Sequence, residues 1–276
     1  MSMQGDIMKK EQTKKRKSLY ELFFKRFLDF TLSFIAIIIL SPIFLIVWIC
    51  SKIFIGGNVI FAQYRPGKNG KVFKLYKFRS MTNKTDGSGN LLPDAQRITK
   101  FGQIIRKLSL DELPQLINIL KGDMSIVGPR PRLVKDVIFY DQDVLNIYSV
   151  KPGLTGPAQV YDRNSALSWE SVFERDKEYS NKVTFWNDLK LFFGTFIAVF
   201  NGGASSGANN GKGNESKREY YYADYLLKSG KITQSQYDKG ILKAKHIIEN
   251  MGVVEFVEEL HYENLNSKET IPGNDV

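Results

Sequence analysis

The hydrophobic pattern contains one unbroken run: from Phe30 to Ser51 the chain passes 22 residues without a charge. At about 1.5 Å per helical residue, that run matches the hydrocarbon thickness of a bilayer. No small-residue cleavage site follows it, and Lys52-Ile53-Phe54 continue largely apolar, which excludes a cleaved signal peptide. Pro42 stands near the middle, where it removes an amide donor, crowds the carbonyl of Ile38 and bends the helix. Ser41 can return its hydroxyl to a carbonyl of the preceding turn and so ease the loss. Lys9, Lys10, Lys14, Lys15, Arg16, Lys17, Lys25 and Arg26 precede the run; Lys52, Arg65, Lys68, Lys71, Lys74, Lys77 and Arg79 follow it. Positive flanks stay cytoplasmic, so a re-entrant hairpin entering and leaving through one face satisfies both ends. A kinked full span and a buried helix of a soluble core are the alternatives.

Elsewhere the pattern is shorter-ranged. KSLYELFFKRFLD, residues 17–29, sets Leu19, Leu22, Phe23, Phe27 and Leu28 on an interfacial helix leading into the membrane segment. NVIFAQY and KVFKLYKF alternate around Arg65-Pro66-Gly67-Lys68-Asn69-Gly70 and predict a strand, turn and strand. A Gly-Ser-Asn loop at 83–90 and several short helices follow. DLKLFFGTFIAVF, 188–200, is a second apolar stripe, either core or lipid-facing. Residues 201–217 are rich in Gly, Ser and Asn, as a flexible linker is. Beyond them, two helices meet at Ser229-Gly230, the second opened by a Thr233/Gln236 capping box. That pair resembles the short helical modules called SHOCT domains, in which apolar helices mediate association. The expected organisation is a basic tail (1–17), an interfacial and re-entrant helix (18–56), a cytosolic catalytic domain (57–200), the linker (201–217), a helical hairpin (218–260) and a disordered tail (261–276). The fold class is α+β: mainly helical and monotopic, with a re-entrant helix-break-helix, a small β-hairpin and interfacial amphipathic helices.

Charge refines this picture. The chain of 276 residues carries a net +10, but residues 1–110 hold 20 basic and 6 acidic groups, leaving the remainder acidic. A basic first half facing something anionic fits better than a uniformly basic nucleic-acid binder, and no nucleic-acid recognition motif is present. One cysteine, Cys50, excludes an internal disulfide or a cysteine-built zinc site. His246 and His261 are the only histidines, so carboxylates or hydroxyls must carry any chemistry upstream.

The stretch RKLSLDELPQL, Arg106 to Leu116, is the most informative. Ser109 is a helix cap by residue type and Pro114 belongs in a first turn, so Asp111 and Glu112 fall at or just before a helix N-terminus. There the dipole is expected to lower the pKa of Asp111 and keep it ionised. An ionised aspartate is a competent nucleophile toward phosphorus and a hard ligand for Mg²⁺. Alone, an Asp-Glu pair before a helix is ordinary capping. Its company changes the weighing: GDMSIVGPRPR presents Arg130 and Arg132 from a stiff turn, KPGLTGP is another rigid turn followed by Arg163-Asn164, and Arg79 and Arg106 lie beside stiff local motifs. Guanidinium groups match phosphate geometry, and their convergence on a carboxylate beside a membrane suggests handling of a diphosphate.

From about Lys25 to Thr195 the chain resembles the monotopic phosphoglycosyl transferases, bacterial sugar transferases that start surface-glycan assembly on a polyprenol phosphate. KRFLDF, LSP, VIFAQYRPG, YKFRSM, LSLDELPQL with NILKGDMS, VGPRP, KPGLTG and SWESVFERDKEYS carry the resemblance in order and spacing, and the short N-terminus resembles the compact bacillosamine-transferase-like class. The resemblance implies that Ser41-Pro42 breaks the re-entrant helix and that Asp111 attacks the β-phosphate of a UDP-sugar. UMP would leave and a covalent phosphosugar-aspartate would pass to undecaprenyl phosphate. It implies that Glu112 partners the nucleophile, that Asp111 also binds Mg²⁺, and that Arg106, Arg130 and Arg163, with Arg79 beside them, hold phosphate. It places the protein on the bacterial cytoplasmic membrane with its catalytic domain on the cytoplasmic side. One segment departs: where the family reads Gly-Trp-Ala-Gln-Val-Asn-Gly-Arg-Asn, this chain has Gly156-Pro157-Ala158-Gln159-Val160-Tyr161-Asp162-Arg163-Asn164, which bears on donor specificity. The C-terminal hairpin is expected to serve a homo-oligomer or glycan-pathway partners; the competing expectation is a catalytically silent membrane scaffold that recruits glycan enzymes through that hairpin.

Overall fold

The computed structural model describes residues 18–161, 168–198 and 221–260. A π-helical turn, Tyr20–Phe24, runs into α1, Lys25–Phe54. Helix α1 and the turn before it are long and apolar enough to cross a membrane. The expected break at Ser41-Pro42 does not divide the helix: Pro42 lies inside one continuous α1. Ser41 Oγ donates to the Ile38 carbonyl at 2.8 Å, the acceptor that Pro42 deprives of its amide partner.

One stripe of α1 is covered along its length. Asp29, Ser33, Val47 and Ser51 are buried, and Ala36, Ile37, Leu40 and Phe44 pack against core residues of the body, a spacing of three and four that is a single helix face. Both ends are tied down. Lys25 Nζ donates to Asp188 at 2.5 Å and to the Val127 carbonyl at 2.9 Å; Arg26 donates to the carbonyls of Ile119 and Leu120 at 2.6 and 2.7 Å. At the other end the Phe54 ring meets Phe101. The opposite face leaves Phe27, Ile39 and Ile46 exposed.

Strands β1, Ile60–Pro66, and β2, Val72–Phe78, pair antiparallel, from Ile60 opposite Phe78 to Pro66 opposite Val72. Their turn places Asn69 and Gly70 at positive φ, as the Lys68-Asn69-Gly70 sequence favours. Short helices α2, Asp94–Arg97, and α3, Lys100–Lys107, lead to α4, Gln115–Lys121. Asn118 of α4 is fully buried and locks it to β2, accepting from Tyr76 N at 3.0 Å and donating to the Lys74 carbonyl at 2.7 Å.

The two stiff turns form a second sheet. Strand β3, Ser125–Val127, precedes α5, Val134–Val137, and α6, Gln142–Leu145; it pairs in parallel with β4, Gly153–Thr155. A Cβ on Gly128 or Gly153 would fall on the facing backbone, so close approach requires glycine at both. Helix α7, Pro157–Tyr161, then begins on the proline that departs from the family pattern, a first-turn position where its missing N–H costs nothing. In α9, Phe185–Ala198, which follows α8, Trp169–Asn181, the apolar stripe is divided: Leu191 is buried in the core, while Phe193 and Ile197, with Trp186 before the stripe, are exposed.

Helices α10, Tyr222–Lys228, and α11, Gln234–Glu249, follow, and the Thr233/Gln236 capping box is formed. Their apolar faces lie within the molecule: Ala223, Leu226, Ile232, Ala244, Val254 and Leu260 share one cluster with Val72, Val134, Ile138, Phe139, Trp169 and Phe173. Asp136 of α5 is buried there and accepts from Ala223 N at 3.2 Å. Burial pushes its pKa up to about 6. A carboxylate with a raised folded-state pKa penalises folding once ionised, so stability falls as pH rises from about 4 through about 6. Asp136→Asn, whose side-chain oxygen can still accept from Ala223, is expected to stabilise the protein by roughly 2–3 kcal/mol at pH 7.5 and by nothing at pH 4. Thermal melts of both proteins across that range check this.

Candidate active site

Strand β2 ends at Phe78 and delivers three polar groups: Lys77, Arg79 and Ser80. Helix α3 returns beside them. Gly102 packs against the Ser80 carbonyl so closely that a Cβ would overlap it, and this contact carries Arg106 to Ser80, where its Nε donates to Oγ at 2.7 Å. The chain then turns sharply at Ser109, whose φ of 56° lies in the left-handed region and whose hydroxyl makes no capping bond. The expectation of a Ser109 cap is therefore corrected: the residue supplies the turn rather than an acceptor. A single 3₁₀ turn, Leu110–Glu112, follows and buries both carboxylates, Asp111 at 8% and Glu112 at 6% exposure.

The two acids have opposite environments. Glu112 Oε1 accepts from Lys77 Nζ at 2.8 Å and from Arg130 Nη2 at 3.1 Å. Burial alone would push its pKa up, but these two cations outweigh that and hold it far below the ordinary carboxylate range. Asp111 accepts no hydrogen bond from any described side chain. Burial and the neighbouring Glu112 charge push its pKa up to about 6, against the opposing pull of Lys77, Arg106 and Arg130. The expectation that a helix dipole lowers it is thus also corrected. Helix α4 has seven residues and begins only at Gln115, so its field at Asp111 is weaker than the cost of desolvation. A more basic carboxylate is a better nucleophile.

Three of the four arginines expected at the site, Arg79, Arg106 and Arg130, lie among the described residues, and two of them act on Asp111. Arg106 and Arg130 both pull the Asp111 pKa down. Arg79 follows Phe78 and reaches the loop at Gly57, and it is not among the charges that move Asp111. Arg163 lies outside the described residues. The two arginines of the VGPRPR turn part company: Arg130 meets Glu112, whereas Arg132 lies 5.2 Å over the Trp169 ring. The sequence reading overlooked Lys77 as a site residue and counted it only among the basic flanks. The available signal was register, since Lys77 and Arg79 stand two apart near the end of a strand and therefore on one face. Among the described residues no group of three or more His, Cys, Asp or Glu side chains gathers as a metal cluster. Asp111, a hard oxygen donor that accepts no hydrogen bond from the described side chains, nonetheless fits Mg²⁺, which takes one or two carboxylates and completes its shell with other oxygens.

Residues 20–202 match the model of a family described as bacterial sugar transferase. The sugar transferase EpsL of Bacillus subtilis is 49% identical over 167 residues, covering 60% of this chain and 82% of EpsL. The exopolysaccharide production protein ExoY of Rhizobium meliloti is 36% identical over 192 residues, covering 63% and 84%. The undecaprenyl-phosphate galactose phosphotransferase of Salmonella typhimurium is 40% identical over 194 residues, 64% of this chain but 40% of that longer protein.

Proposed function

Given that the chain belongs to the bacterial sugar transferase family, we propose that it moves a sugar 1-phosphate from a UDP-sugar to undecaprenyl phosphate, the first committed step of a surface polysaccharide. The observation that carries this reading is the asymmetry of the carboxylate pair: Glu112 is clamped by Lys77 and Arg130, while Asp111 is buried, raised in pKa and accepts no hydrogen bond from the described side chains.

Asp111 then attacks the β-phosphorus of the donor in line. The bridging P–O bond breaks, UMP leaves with that oxygen, and an aspartyl phosphosugar remains. An oxygen of undecaprenyl phosphate attacks the same phosphorus, the acyl-phosphate P–O bond breaks, and the carboxylate is regenerated as the lipid-linked diphosphosugar departs. Arg106 and Arg130 stabilise charge on the transferring phosphoryl group, which is where a loose phosphoryl transition state needs it. Glu112 keeps Lys77 and Arg130 at fixed positions beside the nucleophile. Mg²⁺, held by Asp111, would neutralise the diphosphate. Incubation with a UDP-sugar panel and no lipid acceptor is expected to give one equivalent of UMP and a matching mass gain on Asp111. Catalytic UMP release without any adduct would overturn the covalent route.

Helix α1 is monotopic in this reading. A helix covered on one stripe from Asp29 to Ser51, and tied to the body at Lys25, Arg26 and Phe54, keeps both ends on the side of the catalytic body. Its outer face, with the exposed apolar groups of α9 and of α3 near Leu108, enters the lipid. In a Cys50→Ser background, single cysteines at Lys17 and Gly57 are expected to react equally with an impermeant maleimide in inside-out vesicles and not in right-side-out ones. Reaction of the two on opposite sides would establish a full span instead.

A further inference from the structure

The segment 222–260 follows the span matched by the family model, yet it completes the largest core cluster of the molecule. It packs on two elements, the β1–β2 hairpin and the α5 region, which also touch each other beneath it through β1. On one side it extends the β1–β2 turn. Val72 N donates to the Gly252 carbonyl at 3.0 Å, Val254 N donates to the Gly70 carbonyl at 3.0 Å, and Lys71 bridges Val253. A Cβ on Gly70 would collide with the Val254 backbone. On the other side it grips α5. Asp136 accepts from Ala223 N, Lys135 lies 3.7 Å from Asp224 and 3.8 Å from the Tyr221 ring centroid, and Gly240 of α11 presses on Phe139 so closely that a Cβ would enter the ring.

These two elements carry the cations of Glu112. Strand β2 starts at Val72, in the grip of the segment, and ends beside Lys77. Helix α5 begins two residues after Arg132, so the Pro129-Arg130-Pro131-Arg132 turn hangs from it, and Arg65 of β1 donates to the Pro131 carbonyl at 3.2 Å between them. We propose that residues 222–260 are a built-in clasp that sets the separation of Lys77 and Arg130, and with it the seat of the donor diphosphate. The proposal rests on the reading of that site as a diphosphate site. Strand and turn are stiff, so a shift at Val72 and α5 is carried to the side chains at their ends, and a misplacement of about 1 Å costs on the order of 10²-fold in positioned phosphate chemistry. None of the clasp's own side chains is placed in the reacting centre.

The test uses the full chain in detergent with Gly240→Val, which wedges α11 off Phe139 without touching the site. Limited proteolysis reports docking as protection of residues 222–260. Steady-state UMP release reports the KM for UDP-sugar separately from kcat. Undocking is expected to raise KM about tenfold or more, while the Asp111 adduct still forms at saturating donor. Phe139→Leu added to Gly240→Ala makes room for the new methyl group and is expected to restore both protection and KM relative to Gly240→Ala alone. This pair decides the matter if Gly240→Val does not fold. A clasp that is cleaved freely while KM stays unchanged overturns the proposal. Loss of the adduct in the unsubstituted protein would instead overturn the catalytic reading, so the two failures are distinct.

Discussion

Replacing Asp111 with asparagine is expected to abolish UMP release and the covalent adduct, a loss on the order of 10⁴-fold or more, as removal of a covalent nucleophile produces elsewhere. The same substitution is expected to raise the melting temperature. Asp111 accepts no hydrogen bond from the described side chains, and the attraction of Lys77, Arg106 and Arg130 that the amide forfeits is outweighed by the cost of burying the charge beside Glu112. Its pKa, pushed up to about 6 by burial and by Glu112, marks an ionised form that the folded state resists at neutral pH. A site that gains stability when its reactive group is neutralised is one that carries a cost for function. Activity and melting temperature moving in opposite directions is therefore the signature sought. A variant that loses both, or that keeps turning over, would mean that Asp111 is structural and that another group takes the phosphoryl moiety.

The second large effect is expected at Lys77. Lys77→Met leaves the buried Glu112 carboxylate with Arg130 as its remaining ion-pair partner among the described residues. Removing one partner from a buried ion pair costs about 3–5 kcal/mol, because the charge left behind cannot be rehydrated. UMP release is expected to fall about a hundredfold, since the freed Glu112 draws Arg130 toward itself and away from phosphate. The double variant Lys77→Met/Glu112→Gln separates the two consequences. Neutralising the orphaned acid is expected to recover most of the lost stability in a double-mutant cycle and little of the activity. Activity within twofold of the parent in Lys77→Met would remove this lysine from the site.

What could be read directly from the chain is what depends on neighbours in sequence. The β1–β2 hairpin follows from alternation and the Lys68-Asn69-Gly70 turn, the capping box from Thr233 and Gln236, and the carbonyl that Ser41 relieves from the position of Pro42. Asp111, Glu112 and Arg130 were legible because each stands in a compact motif. The remainder depends on pairs far apart. Strands β3 and β4 are three residues each, too short to alternate, and they pair because Gly128 and Gly153 let two backbones touch. Lys77 acquires its role only when the turn holding Glu112 folds against β2. The direction of the Asp111 pKa followed the wrong rule, since a local dipole argument cannot register burial by the rest of the fold. The tail helices read as a separate associating module because their apolar stripes have no partner nearby in sequence; the partners are Val72, Val134 and Phe139, far upstream.

That arrangement has a consequence for how the protein comes into being. Val72 hydrogen-bonds Gly252, which is made long after it, so the principal core stays open until the turn at Leu260 has cleared the ribosome. The apolar N-terminal helix emerges long before and reaches lipid while the body behind it is unfinished, with exposed surface of the kind that invites aggregation. Anchoring thus comes first and enzymatic competence last, and a polypeptide cut short in synthesis would settle on the membrane without acquiring a finished catalytic body.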